Sequence, residues 1–256
     1  MSNGNKFEPA PHYIAYLDIL GYKEKIGKDG ENAAHLAEII DSHIKRAKRI
    51  SLNEETKEDS QGSIKLKAFS DNILLCTETN WAVLYSLVAV LQGRMIEDGI
   101  FIRGSLTYGS LYFDTEFLCG QGIILAHEIE SEISIYPRVV VHKTYMDAVD
   151  KYLKTLNAPL HTKDAFEYHG AISQVFCDFD GYMVLDYLLS SNQLAPYQDK
   201  KNEITKRHKE EIVKNLQIKK ERVRQKFLWC KNYHNNFIER AMSMGFQVRE
   251  HYIEDV

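Results

Sequence analysis

The chain has few of the residues that build stapled or metal-clipped folds. Its four cysteines, Cys76, Cys119, Cys177 and Cys230, are scattered through 256 residues and form no C-x-x-C pair. That excludes a zinc signature and a disulfide framework. There is no large excess of charge: the formal net charge is −4, which argues against a general nucleic-acid binder. No long hydrophobic run is present either. The longest, Trp81 to Leu91, is too short to cross a bilayer, so no direct membrane insertion is expected. The opening M-S-N-G-N-K-F is polar and reads as no secretory leader, which makes the cytoplasm the expected compartment. What is abundant is core-forming material. An apolar fraction of 44% supports one globular domain with an appendage.

The stretch that stands out is Tyr13 to Tyr22, Y-I-A-Y-L-D-I-L-G-Y. Its apolar, β-branched and aromatic run suits a central buried strand. Asp18 interrupts the run where the strand should emerge, so its carboxylate is placed to hold a cation at the edge of a sheet. Gly21 allows the next step of backbone to turn sharply and approach a ligand. A second acid has a similar setting. Lys65 to Cys76, K-L-K-A-F-S-D-N-I-L-L-C, reads as a hairpin with its turn at Ser70-Asp71-Asn72, residues whose side chains bond local backbone. If the two strands are neighbours, Asp18 and Asp71 lie side by side. Such a pair repels unless a proton or cation sits between. Hard Mg2+ or Mn2+ takes oxygen ligands and joins carboxylates to substrate phosphates. Read singly, each is an ordinary strand-end or turn aspartate.

The remaining elements follow from periodicity. Ala33 to Ile50 reads as a helix with Leu36, Ile39, Ile40, Ile44 and Ala47 on one side. The acidic connector Ser51–Gly62 has little to bury. Thr79 to Asp98 is the next helix, with Trp81, Leu84, Leu87, Val88 and Leu91 inward and Gly99 at its end. Ile100–Thr107 is a strand, with a turn expected at Tyr108-Gly109-Ser110 and a return at Leu111–Phe113. Arg103 lies inside that strand, where its fork suits phosphate oxygens; a structural salt bridge is the other reading. Gly120-Gln121-Gly122 opens a helix through Ile133. Arg138–Val141 reads as a short buried strand and Lys143–Leu156 as an amphipathic helix. Ile172–Cys177 and Tyr182–Leu188 form an antiparallel pair around the Asp178-Phe179-Asp180-Gly181 turn. A linker at Gln193–Asp199 contains Pro196. Asn202–Gly245 is strongly helical, with a seam of Ile212, Leu216, Val223 and Phe227 that should dock on the core or on a second subunit.

The order of these motifs carries a resemblance. D-I-x-G-[FY] at Asp18, Ile19, Gly21 and Tyr22, then K-x-x-x-D at Lys67 and Asp71, then R-G-S-L-T-Y-G from Arg103 to Gly109, then the Gly120–Ser131 helix ending I-E-S, together resemble class III nucleotidyl cyclases over about residues 10–150. Ser70 stands where that family usually has glycine. The Y-L-D-I-L-G opening and the late W-x-x-x-Y-H-N segment, Trp229 to Asn235, look most like bacterial anti-phage pyrimidine cyclases of the Pycsar type. The resemblance implies an α+β fold, a ferredoxin-like palm with a mainly antiparallel sheet and helices on one face. That catalytic domain would span 1–190, followed by a helical extension at 191–256.

It further implies catalysis by Asp18 and Asp71. These would hold two divalent cations, Mn2+ or Mg2+, with the Ile19 carbonyl as an added ligand. Lys67, Arg103, Gly21 and Tyr22 become substrate contacts, although Lys67 also reads as a solvated edge lysine. The implied reaction converts a nucleoside triphosphate, UTP first and CTP second, to a 3′,5′-cyclic mononucleotide and pyrophosphate. A homodimer and a downstream effector activated by the cyclic nucleotide are implied as partners. One departure stands out: the family's transition-state Asn and Arg fall at Ile124 and Glu128, with His127 a possible stand-in. A palm-type synthase of cyclic oligonucleotides and a non-catalytic nucleotide-binding module are the competing readings.

Overall fold

The computed structural model describes residues 8–27, 30–51, 64–155, 175–194 and 198–254. Residues 1–7, nearly all of the acidic connector, Leu156, residues 172–174 and Pro196 lie outside them. In chain order the elements are β1 (Ala10–Ile19), α1 (Tyr22–Ile26), α2 (Ala33–Ser51), β2 (Lys65–Phe69), β3 (Asn72–Thr77), α3 (Trp81–Met95), β4 (Ile102–Phe113) and β5 (Leu118–Cys119). There follow α4 (Gln121–Glu128), β6 (Val139–Val141), α5 (Lys143–Thr155), β7 (Val175–Cys177), β8 (Met183–Leu185), α6 (Tyr187–Leu194), α7 (Gln198–Leu216) and α8 (Glu221–Ser243). No helix among the described residues is long and apolar enough to cross a membrane.

The fold is α+β with a mixed, mostly antiparallel open sheet in the order β2-β3-β1-β4-β6-β8-β7, β5 pairing with β4 alone. Its first half runs β-α-β-β-α-β, with β1 antiparallel to both β3 and β4. The one parallel pair among the described residues, β4 with β6, is joined through α4. β1 is central because both of its faces are apolar, as a strand covered on both sides must be. Tyr13, Ala15, Leu17 and Ile19 enter the main core with α2 and α3, whose inward residues Leu36, Ile40, Ile44, Leu84, Val88 and Leu91 recur at helical spacing. Ile14 and Tyr16 enter a second core with Leu74, Cys76, Leu111 and Ala126.

That second core corrects the expectation of helices on one face only. Helix α4 lies on the opposite face, because Ile14 and Tyr16 of β1 are too apolar to leave in water. A second correction concerns β4. No turn interrupts it at Tyr108-Gly109-Ser110; the strand pairs with β1 through Leu111. Gly109 serves close approach instead: a Cβ there would sit 2.8 Å from the Gly122 Cα at the start of α4. Glycine in a strand often marks such a contact.

The C-terminal helices are folded onto the same chain's core. Ile204, Ile212, Phe227, Trp229, Tyr233 and Ile253 belong to the main cluster with β1. Phe227 meets Phe101 edge-on at 5.1 Å. The helical stretch is not continuous, since it breaks at residues 217–220 between α7 and α8. The linker expected at Gln193–Asp199 is shorter, with α6 reaching Leu194 and α7 starting at Gln198. At the Asp178–Gly181 hairpin, the turn closes as expected through Gly181 N–H to Asp178 O at 2.9 Å. Its two carboxylates are also taken by the buried guanidinium of Arg138, and Trp229 Nε1 donates to Asp178. This network ties the hairpin to α8.

Candidate active site

Strand pairing gathers the first group of site residues at one end of the sheet. Asp18, the penultimate residue of β1, lies opposite Asn72 on β3 and Arg103 on β4. Asp71 occupies the hairpin turn, and its carbonyl accepts the Ile19 N–H at 2.8 Å. That backbone bond fixes the turn against the end of β1 and brings the two acids to the same rim. Asp71 Oδ1 also accepts from Asn72 Nδ2 at 3.0 Å. The preceding residue, Ser70, has φ +54°, making it the one non-glycine with positive φ among the described residues.

Arg103 is engaged on two sides. Its Nε donates to Asp18 at 2.8 Å, and its Nη2 lies 2.6 Å from Glu130 Oε1. Weaker contacts reach the Glu130 and Ser134 carbonyls. Glu130 is buried, and although Oε1 is within ion-pair range it accepts no aligned hydrogen bond. It reaches the site because the helix beginning at α4 widens into one π turn over Ile129–Ile133, a feature frequent at functional positions. Burial pushes the Glu130 carboxyl above its usual range; Arg103 opposes this and Asp18 adds to it. The Tyr16 phenol is pushed up to about 12, first by burial and then by Glu130, Asp18 and Asp71. One hydroxyl thus senses all three carboxylates.

The other residues expected at the site divide into two sets. Gly21 follows directly, at φ +70° with no heavy atom closer than 3.9 Å to a Cβ placed there, so its backbone is open to the adjoining groove. Ile19 buries its side chain in the main core, leaving only its backbone for any ligand role. Tyr22 packs partly against that core. Lys67 lies on the same sheet face as Asn72 but further along β2. Its Nζ donates to the Thr115 carbonyl at 3.3 Å and sits 6.0 Å from the Phe113 ring centre. Ile124 and Glu128, four residues apart on α4, are both exposed. The His127 ring meets Tyr16 edge-on at 5.7 Å.

The donor set suits a hard cation, because every candidate ligand is an oxygen. Among the described residues no three His, Cys, Asp or Glu side chains converge on one point. Mg2+ is commonly held by one or two carboxylates together with substrate phosphates, so a pair at a rim is compatible with such binding.

Sequence reasoning assigned neither Glu130, which contacts Arg103 in the site, nor Lys226, which lines the adjoining groove. Glu130 stood within the I-E-S motif, and the motif was the only signal for it. Lys226, on α8, is half-buried. Burial lowers its pKa, Arg103 and Arg222 lower it further, and Asp18 and Glu130 oppose them. Nothing in the local sequence around Lys226 distinguishes it from the other cations of that helix. Compared with protein-family models and with curated protein sequences, the chain matches none.

Proposed function

We propose that this chain is a nucleotidyl cyclase of the palm type, converting a pyrimidine nucleoside triphosphate to its 3′,5′-cyclic mononucleotide and pyrophosphate. The observation that carries this reading is the junction of β1 with the β2–β3 hairpin. The Ile19–Asp71 backbone bond holds Asp18 and Asp71 at one rim, on a sheet whose first half has the β-α-β-β-α-β order of a ferredoxin-like fold. Asp18, Asp71 and the Ile19 carbonyl are the groups that would hold divalent cations. When bound there, Mn2+ or Mg2+ would neutralise triphosphate charge and favour loss of the ribose 3′-hydroxyl proton.

The chain's own residues position the substrate and stabilise charge. The open backbone at Gly21 lets phosphate approach. Arg103 moves between carboxylate and phosphate partners, exchanging its Asp18 contact for a substrate oxygen when the triphosphate enters. The choice of UTP first and CTP second rests on resemblance to anti-phage pyrimidine cyclases, as does a signalling role through an effector activated by the product. A homodimer joined across α4 belongs to the same proposal; Ile124 there is 51% exposed.

A second reading, a nucleotide-binding module without catalysis, is favoured by one observation: exposed Ile124 and Glu128 stand where the family has its Asn and Arg. One experiment addresses both. The protein is incubated with Mn2+ and each of the four nucleoside triphosphates, and products are identified by mass, with Asp18→Asn as control. A 3′,5′-cyclic mononucleotide from one triphosphate, absent in the control, is the expected result. A cyclic oligonucleotide would assign synthase chemistry instead. Retained nucleotide binding with no product would assign the binding module.

A further inference from the structure

A groove of about 540 Å³ opens beside the candidate site. One wall is the turn after Asp18, from Leu20 to Lys25; the other is the end of α7 and the first turns of α8. Five cations line it, Lys25, Lys214, Lys220, Arg222 and Lys226, against two acids, Glu24 and Glu211. Some of this charge is already matched. Glu211 is ion-paired to Arg207 and Lys214, and Lys25 donates to the Gly99 carbonyl at 3.0 Å. Lys220, Arg222 and Lys226 have no ion-pair partner among the described residues. They lie within seven positions of one another at the start of α8. Lys226 is the innermost of the three, with Arg103, Asp18 and Glu130 in its electrostatic surroundings. An unpaired, half-buried ammonium costs free energy unless an anion meets it.

We infer that α8 contributes a substrate-anchoring residue to the Asp18 site: Lys226, assisted by Arg222 and Lys220, holds the terminal phosphates of a nucleoside polyphosphate in this groove. The inference deepens the proposed cyclase function and rests on it for the identity of the substrate. It also gives the C-terminal helices a part in binding beyond their packing. The groove runs from the open Gly21 backbone to Lys226, so a triphosphate whose α-phosphorus sits at Asp18 would extend its β- and γ-phosphates between α1 and α8. Lysine serves here as a point charge for phosphate oxygens.

The test uses the full chain and inorganic tripolyphosphate in metal-free buffer containing chelator, read by calorimetry. Wild type binds; Lys226→Gln weakens binding about tenfold, the weight of one charge-assisted contact; Lys226→Arg restores it to within about threefold. Asp18→Asn leaves binding equal or tighter, because a repelling carboxylate is gone. Equal thermal stability of the Lys226→Gln and wild-type proteins separates anchoring from folding. Absence of tripolyphosphate binding by wild type, or binding indifferent to Lys226, overturns the inference. Because this readout needs neither metal nor turnover, it is distinct from the product assay. Lys226-dependent binding in a protein that makes no cyclic nucleotide retires the activity and keeps the anion site. Product formation with a KM unchanged in Lys226→Gln retires the anchor and keeps the activity.

Discussion

Acid should loosen the C-terminal helices through a buried histidine chain whose protonation state follows from its partners. His234 Nε2 lies 2.9 Å from the His251 carbonyl, so it must donate. A neutral His234 then accepts at Nδ1, which obliges His208 Nδ1, 2.9 Å away, to donate. His208 Nε2 is left to accept from the Tyr187 hydroxyl at 2.9 Å. The chain links α6, α7, α8 and the segment after α8, and both rings are fully buried. Adding a proton to His234 sets two N–H groups against each other.

Burial accordingly lowers the His234 pKa to about 4, and the His208 pKa falls well below its ordinary value through burial and its neighbour His234. With folded values below the unfolded one, the stabilisation is complete above about pH 6.5 and is lost as pH falls toward the folded values. For His234 alone the loss at pH 5 is about 2 kcal/mol, a substantial part of a typical total of about 5–15 kcal/mol. Urea unfolding followed by circular dichroism between pH 7.5 and 5 measures it. The His234→Gln protein should lose up to about 1.4 kcal/mol per pH unit of that dependence, one proton's worth. Identical pH slopes for the two proteins would refute the neutral-chain argument.

Other outcomes follow from the same structure. Asp71→Asn should lower metal-dependent turnover at least about 100-fold with an unchanged circular dichroism spectrum; turnover within a few-fold of wild type would remove Asp71 from the chemistry. Arg138→Leu should destabilise by about 3–5 kcal/mol, because it strands Asp178 and Asp180 without their cation. Arg138 holds the Asp180 carboxyl below its usual range against the opposing effect of burial, so an unfolding midpoint near wild type would show that the network carries little. Ser70→Gly should stabilise by about 0.5–1 kcal/mol, since relief of the left-handed conformation exceeds the entropy glycine adds to the unfolded chain. A lower melting temperature in that variant would mean that the serine hydroxyl supports the turn.

The local elements could be read from the chain alone, because their physics is local. Period-two and period-3.6 apolar patterns place β1, the β2–β3 hairpin, α2 and α3 close to where they form, and Gly99 ends its helix with φ +65°. The juxtaposition of Asp18 and Asp71 was conditional on neighbouring strands, and the β1–β3 pairing supplies that condition.

Longer-range features depended on contacts that no window of sequence contains. Gly109 reads as a turn until Gly122 is seen packed against it. Arg103 suits either an anion or a salt bridge, and only the π turn that brings in Glu130 reveals its second carboxylate. Lys226 is one cation among many on α8 until the folding of that helix onto the core sets it along one groove with Leu20 and Gly21. The sequence determines which groups can carry charge and which faces must be buried. Tertiary structure alone decides which charges meet, because electrostatic and packing energies depend on distances between residues remote in the chain.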